Sequence, residues 1–156
     1  MSPDSTAGSV TGFFHVGLSV RDMDESLRFY RDALGFELES LGERPGEAVA
    51  PVIGLQPERL IVAWLRVPGS DAKIEIFEYQ GIERFCAAAR PCDIGYGHFC
   101  VFVDDLDAVY QRLVDGGFSS RREPFTVEDG PHLGARAVYT TSPDGYNVEL
   151  YQPAAG

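Results

Sequence analysis

The chain has 156 residues, of which 44% are hydrophobic and 24% are charged. This length corresponds to about one domain, and the apolar fraction is large enough to build a buried core, so disorder over the whole chain is excluded. The formal net charge is −11 and the isoelectric point is about 4.6. Such an acidic chain is repelled by phosphate backbones and anionic lipid, so we expect neither a nucleic-acid nor a membrane partner.

The apolar runs and the spacing of the cysteines argue against several further classes of protein. The apolar run over 60–65 is far shorter than the ~20 residues of a transmembrane helix, and residues 1–10 do not resemble a signal peptide. The three cysteines, Cys86, Cys92 and Cys100, lack Cys-x-x-Cys spacing, which argues against a disulfide framework and against a thiolate zinc site. We therefore expect a cytoplasmic protein with reduced thiols.

An internal repeat organises the chain. The segment that begins at His15 recurs at His98, 83 residues later, and the segment around Glu75 recurs at Glu149, 74 residues later. Each half thus opens on a strand with a histidine and closes on a strand with a glutamate. Further matched positions place Val20, Asp22, Met23 and Asp24 on Val103, Asp105, Leu106 and Asp107.

The elements of each half follow the same order. Apolar alternation at Phe14, Val16, Leu18 and Val20 predicts a first strand with His15 on its other face. A capping signal at Asp22 or Asp105 then begins a helix that ends near Gly35 or Gly116-Gly117. Later strands are predicted over 36–41, 60–67 and 73–79 in the first half and over 119–127, 135–141 and 147–151 in the second.

Each half therefore has the order βαβββ, which predicts an α+β fold with helices packed on mostly antiparallel sheet. We expect a single domain over 12–152, with module one at about 12–80 and module two at about 97–152. Residues 42–58 are predicted to be a loop insertion and 80–97 a linker. The flexible tails are expected at 1–11 and 153–156.

Four side chains carry the predicted chemistry. Strand alternation places His15, Glu75, His98 and Glu149 on the strand faces that point away from the helices. A carboxylate among apolar strand residues is costly to bury unless it is paired or bound to a cation. Two imidazoles and two carboxylates balance a divalent cation and suit first-row metals. The alternative is that both glutamates face solvent and both histidines are ordinary strand residues.

On these motifs the chain resembles the vicinal oxygen chelate superfamily, which includes glyoxalase I, methylmalonyl-CoA epimerase, extradiol dioxygenases and the fosfomycin-resistance and bleomycin-binding proteins. The resemblance runs from Phe14 to Gln152 and is strongest in the runs from His15, Ser26, His98 and Ser142. It implies two βαβββ modules that form a curved, mostly antiparallel sheet around a metal. It also implies a homodimer. In some members of the superfamily, the metal site combines modules from two chains.

The resemblance further implies a reaction class. The set His15, Glu75, His98 and Glu149 is similar to that of bacterial glyoxalase I, whereas epimerases commonly have Gln at the position of Glu75. It implies one divalent ion (Ni, Zn, Co, Mn or Fe) and a lyase or isomerase that abstracts a proton next to a metal-polarised carbonyl of a small molecule. Glu149 is the preferred base and Glu75 the second candidate. Phe77 and Tyr151 are expected to line the substrate cavity.

Two alternatives stay open at this point. One is an Fe(II) extradiol-type dioxygenase that uses His15, His98 and Glu149 and leaves Glu75 unbound. The other is a non-catalytic protein that sequesters a ligand, as resistance proteins do. Four further residues outside the metal set are open to either a substrate-binding or a solvent-exposed reading: His132, Arg121, Arg122 and Arg136.

Overall fold

The structure is a computed structural model that describes residues 8–86 and 89–155. Module one contains strands β1 to β4 and helices α1 and α2, and the helix that starts as α1 continues as a π-helical segment, Arg28–Ala33. Module two contains strands β5 to β9, helix α3 and a short 3-10 helix, Gly130–His132. The bounds are β1 His15–Ser19, α1 Met23–Leu27, β2 Glu37–Pro45, α2 Gly46–Ile53, β3 Arg59–Arg66, β4 Lys73–Gln80, β5 His98–Phe102, α3 Leu106–Asp115, β6 Ser119–Ser120, β7 Phe125–Thr126, β8 Arg136–Thr141 and β9 Asn147–Gln152.

The strands form two separate mixed sheets, one in each module. The order is β1-β4-β3-β2 in the first sheet and β5-β9-β8-β6 in the second, with β7 also paired to β8. The first and last strands of each module run parallel, and the other pairs are antiparallel. The α+β class and the two βαβββ-like modules are therefore confirmed. The expected single curved sheet is corrected to two sheets.

The modules pack against each other through their helices. The rings of Phe29 and Phe118 meet edge to face with centroids 5.1 Å apart, and one buried apolar cluster contains residues of both modules. Two reciprocal contacts join the helix ends. Arg112 Nε donates to the carbonyl of Ala33 at 2.6 Å, and Arg28 donates to the carbonyl of Gly116 at 3.3 Å. The sheet faces that carry the candidate ligands point away from this core.

The capping signals are confirmed. The carboxylates of Asp22 and Asp105 each accept a hydrogen bond from a backbone N–H in the first turn of their helices. A second acceptor binds the first N–H of each helix: a Glu78 oxygen for α1 at 2.8 Å, and the Gln152 amide oxygen for α3 at 2.9 Å. Glu78 lies on the opposite strand face from Glu75, so it is structural.

Two of the predicted segments differ from the structure. Residues 42–58 are not a simple loop, because β2 pairs with β3 as far as Pro45 and helix α2 follows. Gly46 begins that helix, where a Cβ atom would lie 1.7 Å from the carbonyl oxygen of Pro57. The strand predicted over 119–127 is interrupted and forms two short pairs with β8. Hydrogen bonds between strands determine how far β2 extends and how 119–127 is divided, and they cannot be predicted from the local composition.

In the segment predicted to be a linker, Gln80 is the last residue of β4, and residues 81–86 and 89–97 contain neither helix nor strand. Residues 8–11 and 153–155 of the predicted tails also lack regular structure. The rest of those predictions, residues 1–7, 87–88 and 156, lies outside the described residues. None of the helices described is long and apolar enough to cross a bilayer.

Candidate metal centre

In module one, His15 and Glu75 meet on the open face of the first sheet. The parallel register pairs Glu75 with Gly17, two residues after His15. His15 Nε2 lies 3.2 Å from Glu75 Oε2, and the two side chains are 32% and 16% exposed. Trp64 pairs with Glu75 from β3 and packs edge to face on the His15 ring at 4.9 Å. The imidazole and the carboxylate are thus held together beside an aromatic wall.

In module two, His98 and Glu149 repeat this arrangement. His98 Nε2 lies 3.0 Å from Glu149 Oε2, with side chains 36% and 21% exposed. Tyr139 pairs with Glu149 from β8, as Trp64 pairs with Glu75 in module one. Its hydroxyl lies 3.1 Å from His98 Nε2, within hydrogen-bond distance. Sequence reasoning missed both aromatic neighbours, which are recognised only when the antiparallel register across each glutamate is known.

The surroundings of the two pairs shift several ionisation equilibria. Desolvation raises the pKa of Glu75, and the nearby His15 opposes this effect. Desolvation and then the charge of Glu149 raise the pKa of Tyr139. The same two causes raise the pKa of Cys100 to about 12, although this residue is exposed overall. The Glu75 carboxylate therefore lies where its charge is less well solvated than in water.

The structure brings each histidine to its own glutamate but does not join the two pairs within one chain. Among residues 8–86 and 89–155, no group of three or more His, Cys, Asp or Glu side chains is placed to hold a metal ion. The helix-mediated packing of the modules explains this separation. Each module presents half of the predicted ligand set on an outward face.

The donor chemistry of the two halves fits a divalent ion. Two neutral imidazoles and two carboxylates supply nitrogen and oxygen donors whose charge balances the ion. In both pairs Nε2 faces the carboxylate, and the Nδ1 atom of His15 is buried without a hydrogen-bond partner in the described part of the chain. Nε2 is therefore the nitrogen available for coordination in both modules.

The predicted lining residues lie on the same faces. Phe77 is two residues beyond Glu75, and its ring would come within 3.3 Å of a Cβ atom at Gly17, so the glycine leaves space for that ring. Tyr151, two residues beyond Glu149, has its hydroxyl 2.9 Å from His132 Nδ1. The loop histidine is thus brought to the site face, a placement that its turn-rich sequence does not reveal.

One residue of the predicted first strand, Phe14, lies outside β1 and does not follow the alternation pattern. Phe14 is 59% exposed, although it was expected to pack in the core with Val16 and Leu18. Its ring contacts His15 and Trp64 at centroid distances of 4.9 and 5.4 Å. Phe14 precedes the first residue of β1, so the strand period does not govern it. It joins the aromatic wall of module one.

A cavity of about 580 Å³ lies between β1, the linker and the turn that joins β8 to β9. Tyr30, Arg84, Tyr96 and Tyr146 are among its lining residues. None of the four candidate ligands lines it. The His–Glu pairs therefore lie on open sheet faces and not in this cavity.

An α+β pair of βαβββ-like modules with a repeated His–Glu pair defines a class of small-molecule enzymes and binding proteins. Residues 12–150 match the Glyoxalase/Bleomycin resistance protein/Dioxygenase superfamily, and the chain belongs to this family. In the fold comparison, a glyoxalase family protein from Bacillus cereus has a TM-score of 0.81 and 21% identity, covering 97% of this chain and all of its own.

Relatives by sequence carry the names of two kinds of enzyme. A 2-epi-5-epi-valiolone epimerase from Actinomyces sp is 30% identical over 146 residues, covering 91% of this chain and 79% of its own length. A probable lactoylglutathione lyase from Synechocystis sp. is 28% identical over 142 residues, covering 90% and 95%. The lactoylglutathione lyase of Haemophilus influenzae is 27% identical over 140 residues, covering 88% and 90%.

Proposed function

We propose that the chain is a divalent-metal-dependent isomerase or lyase that moves a proton on a carbon next to a carbonyl group. The observation that carries this proposal is the pair of repeat-related His–Glu contacts, at 3.2 and 3.0 Å, on equivalent strands of the two modules. Relatives named as lyases and as an epimerase support the same class. His15, Glu75, His98 and Glu149 would hold the ion.

The complete centre in this proposal forms between two copies of the chain. His15 and Glu75 of one copy face His98 and Glu149 of the other, since the modules of a single chain pack through their opposite faces. A two-fold dimer then contains two equivalent centres. Large apolar side chains exposed on or beside the site faces favour a covering partner: Phe14, Phe102 and Phe125 are 59%, 80% and 59% exposed.

Within such a centre the residues have distinct tasks. The ion, when bound, would polarise the substrate carbonyl and make the neighbouring C–H more acidic. Glu149 takes the proton and returns it, and Glu75 is the second candidate for this step. Trp64 packs on the ring of His15. The Tyr139 hydroxyl contacts His98 Nε2, the nitrogen that would hold the ion, so this contact would be replaced when the ion binds.

Metal content tests the ligand assignment. Inductively coupled plasma mass spectrometry on protein purified without chelator should find a near-stoichiometric divalent ion that is lost in His98→Ala and weakened in Glu75→Gln. Glu78→Gln is the matched control on the same strand, because Gln152 already performs the same capping role with an amide in module two. Loss of metal in this control as well would contradict the assignment.

Proton chemistry tests the reaction class. The metal-loaded protein should form lactoylglutathione from its hemithioacetal precursor, or exchange the proton beside a substrate carbonyl with solvent deuterium. Glu149→Gln should abolish either signal. Oxygen uptake with catechols, unaffected by Glu75→Gln, would overturn the proposal in favour of a dioxygenase. Ligand binding by protein that takes up no metal would instead indicate a sequestering protein.

A further inference from the structure

We propose that Arg121 binds an anionic group of the substrate beside the His98–Glu149 pair, and that Asn147 positions the Arg121 guanidinium for this task. The inference rests on the proposed function and narrows its substrate to compounds that carry a carboxylate or a phosphate in addition to the reacting carbonyl. Arg121 is a substrate-anchoring residue and Asn147 a positioning residue.

The placement of Arg121 follows from two strands of the candidate site. Its backbone N–H donates to the carbonyl of Tyr139 at 2.9 Å. Its Nε donates to the side-chain oxygen of Asn147 at 3.0 Å. Tyr139 contacts His98 and pairs with Glu149, and Asn147 lies two residues before Glu149, opposite His98 in the register. The guanidinium is therefore anchored on the site face of module two.

The side chain of Asn147 shows the cost of this arrangement. The residue is completely buried, and its Nδ2 has no hydrogen-bond partner within the described residues. Because a guanidinium has only donors, Asn147 must present its side-chain oxygen to Arg121. The hydrogens of Nδ2 then point to the side where the described residues offer no acceptor. A buried unpaired donor is unfavourable and rare in folded proteins. Its presence is explained if the position of Arg121 matters for function.

At the equivalent position in module one, the cationic group is paired with a counterion. Lys73 occupies in β4 the register position that Asn147 has in β9. Its ammonium is neutralised by the carboxylate of Glu39, which also lies 3.6 Å from Arg66. Arg121 is held by a neutral amide, and no ion pair involves it in the part of the chain that the structure describes. Module two thus keeps one cationic group without a counterion at the site.

The neighbouring arginines do not share this arrangement. Arg136 makes two hydrogen bonds, at 2.7 and 2.8 Å, to both carboxylate oxygens of Asp107, so its charge is already neutralised. Arg122 follows Arg121 directly, and among the described residues no hydrogen bond or ion pair anchors its side chain as Asn147 anchors that of Arg121. A planar guanidinium with free N–H groups is well suited to bidentate binding of carboxylate or phosphate. Of the three arginines considered from the sequence, Arg121 is the one the site retains for an anion.

Side-chain NMR of the metal-free protein tests anion binding directly. Nitrogen-15 spectra of the arginine Nε–H groups would be recorded during titration with sodium acetate and, separately, with inorganic phosphate at constant ionic strength. A saturable shift of the Arg121 signal is expected, and the anion that gives it at lower concentration identifies the group. The signal is assigned by its loss in Arg121→Lys, and Arg122→Lys is the matched control. Absence of a saturable shift with both anions overturns the proposal.

Asn147→Asp tests whether Arg121 must lack a counterion in order to bind the anion. The variant keeps the oxygen that Arg121 contacts, removes the unpartnered amide and supplies a counterion, as Glu39 does for Lys73. Anion affinity should fall at least about tenfold while the protein stays folded and the Arg121 Nε–H signal remains. Unchanged anion affinity in this variant would overturn the claim that Asn147 keeps the charge of Arg121 free for an anion. Both readouts are independent of metal and turnover. Anion binding by Arg121 can therefore fail while the proposed function holds, and the proposed function can fail while anion binding holds.

Discussion

Modules one and two share a backbone plan and a His–Glu pair, but they differ in the side chains around that pair. Trp64 stands in module one where Tyr139 stands in module two, and Gly17 stands where Cys100 stands. The acceptors that cap the two helices are nearly the same in both halves. The repeat therefore conserves what builds the scaffold and the candidate ligands, and it varies what would meet the substrate.

The largest effect should come from removing either histidine of the candidate centre. His15→Ala and His98→Ala should each lower metal affinity by at least about 100-fold, because each substitution removes a metal ligand. Loss of a group that only orients a ligand has a smaller effect. Equal losses in both variants would show that the modules contribute equally. Equilibrium dialysis with the metal found in the purified protein measures this. Retention of normal affinity by His15→Ala would break the symmetry and favour a site in module two alone.

Core substitutions test whether the modules are one cooperative unit. Ile76 and Leu150 occupy equivalent core positions, and both are completely buried. Ile76→Ala and Leu150→Ala should each lower the free energy of unfolding by about 2–5 kcal/mol. Urea denaturation should show one transition in both variants, since the core cluster joins the modules. A second transition in only one variant would show that the modules unfold separately.

The aromatic neighbours should distinguish the two halves. Tyr139→Phe removes a hydroxyl that competes with the ion for His98 Nε2, so it should raise metal affinity by up to about tenfold, the worth of one hydrogen bond. Trp64→Phe keeps an aromatic ring against His15 and should change the affinity much less. The comparison is made by competition with a chromogenic chelator. Weaker metal binding in Tyr139→Phe would contradict competition between the hydroxyl and the ion.

The smallest effect is expected at the helix cap of module one. Glu78→Ala removes the acceptor for the first N–H of α1 and should cost about 1 kcal/mol of stability, as lost caps typically do. Glu78→Gln should cost less than about half of this, because Gln152 caps α3 with an amide oxygen. Thermal unfolding of the two variants measures the difference. A larger loss in Glu78→Gln would show that the charge, and not the acceptor, stabilises this helix.

Residue types and spacing were enough to predict the modules and the two pairs. The repeat identified His15 as equivalent to His98 and Glu75 as equivalent to Glu149. Strand alternation put the histidine and the glutamate of each module on one sheet face, where the structure finds their side chains in contact. Hydrophobic periodicity is a local property of the sequence, so it can be read without knowledge of the tertiary fold. That the four residues share one metal ion stays a prediction.

The neighbours of the pairs could not be predicted in the same way. Trp64 and Tyr139 reach the histidines because β3 and β8 have a particular register against the glutamate strands. The contact of Arg121 with Asn147 depends on how a short irregular segment returns to β8. Register and loop path are set by long-range pairing, which one sequence does not contain.

The most direct test of the central claim, a metal centre shared between two copies, is a mixing experiment with His15→Ala and His98→Ala. The two variants would be unfolded, mixed in equal amounts and refolded, and bound metal would be measured after gel filtration. In a two-fold dimer with shared centres, each mixed dimer regains one intact centre, so the mixture should recover about one quarter of the wild-type metal. Each variant refolded alone should bind almost none. No recovery in the mixture would contradict the account, because every centre would then lie within a single chain.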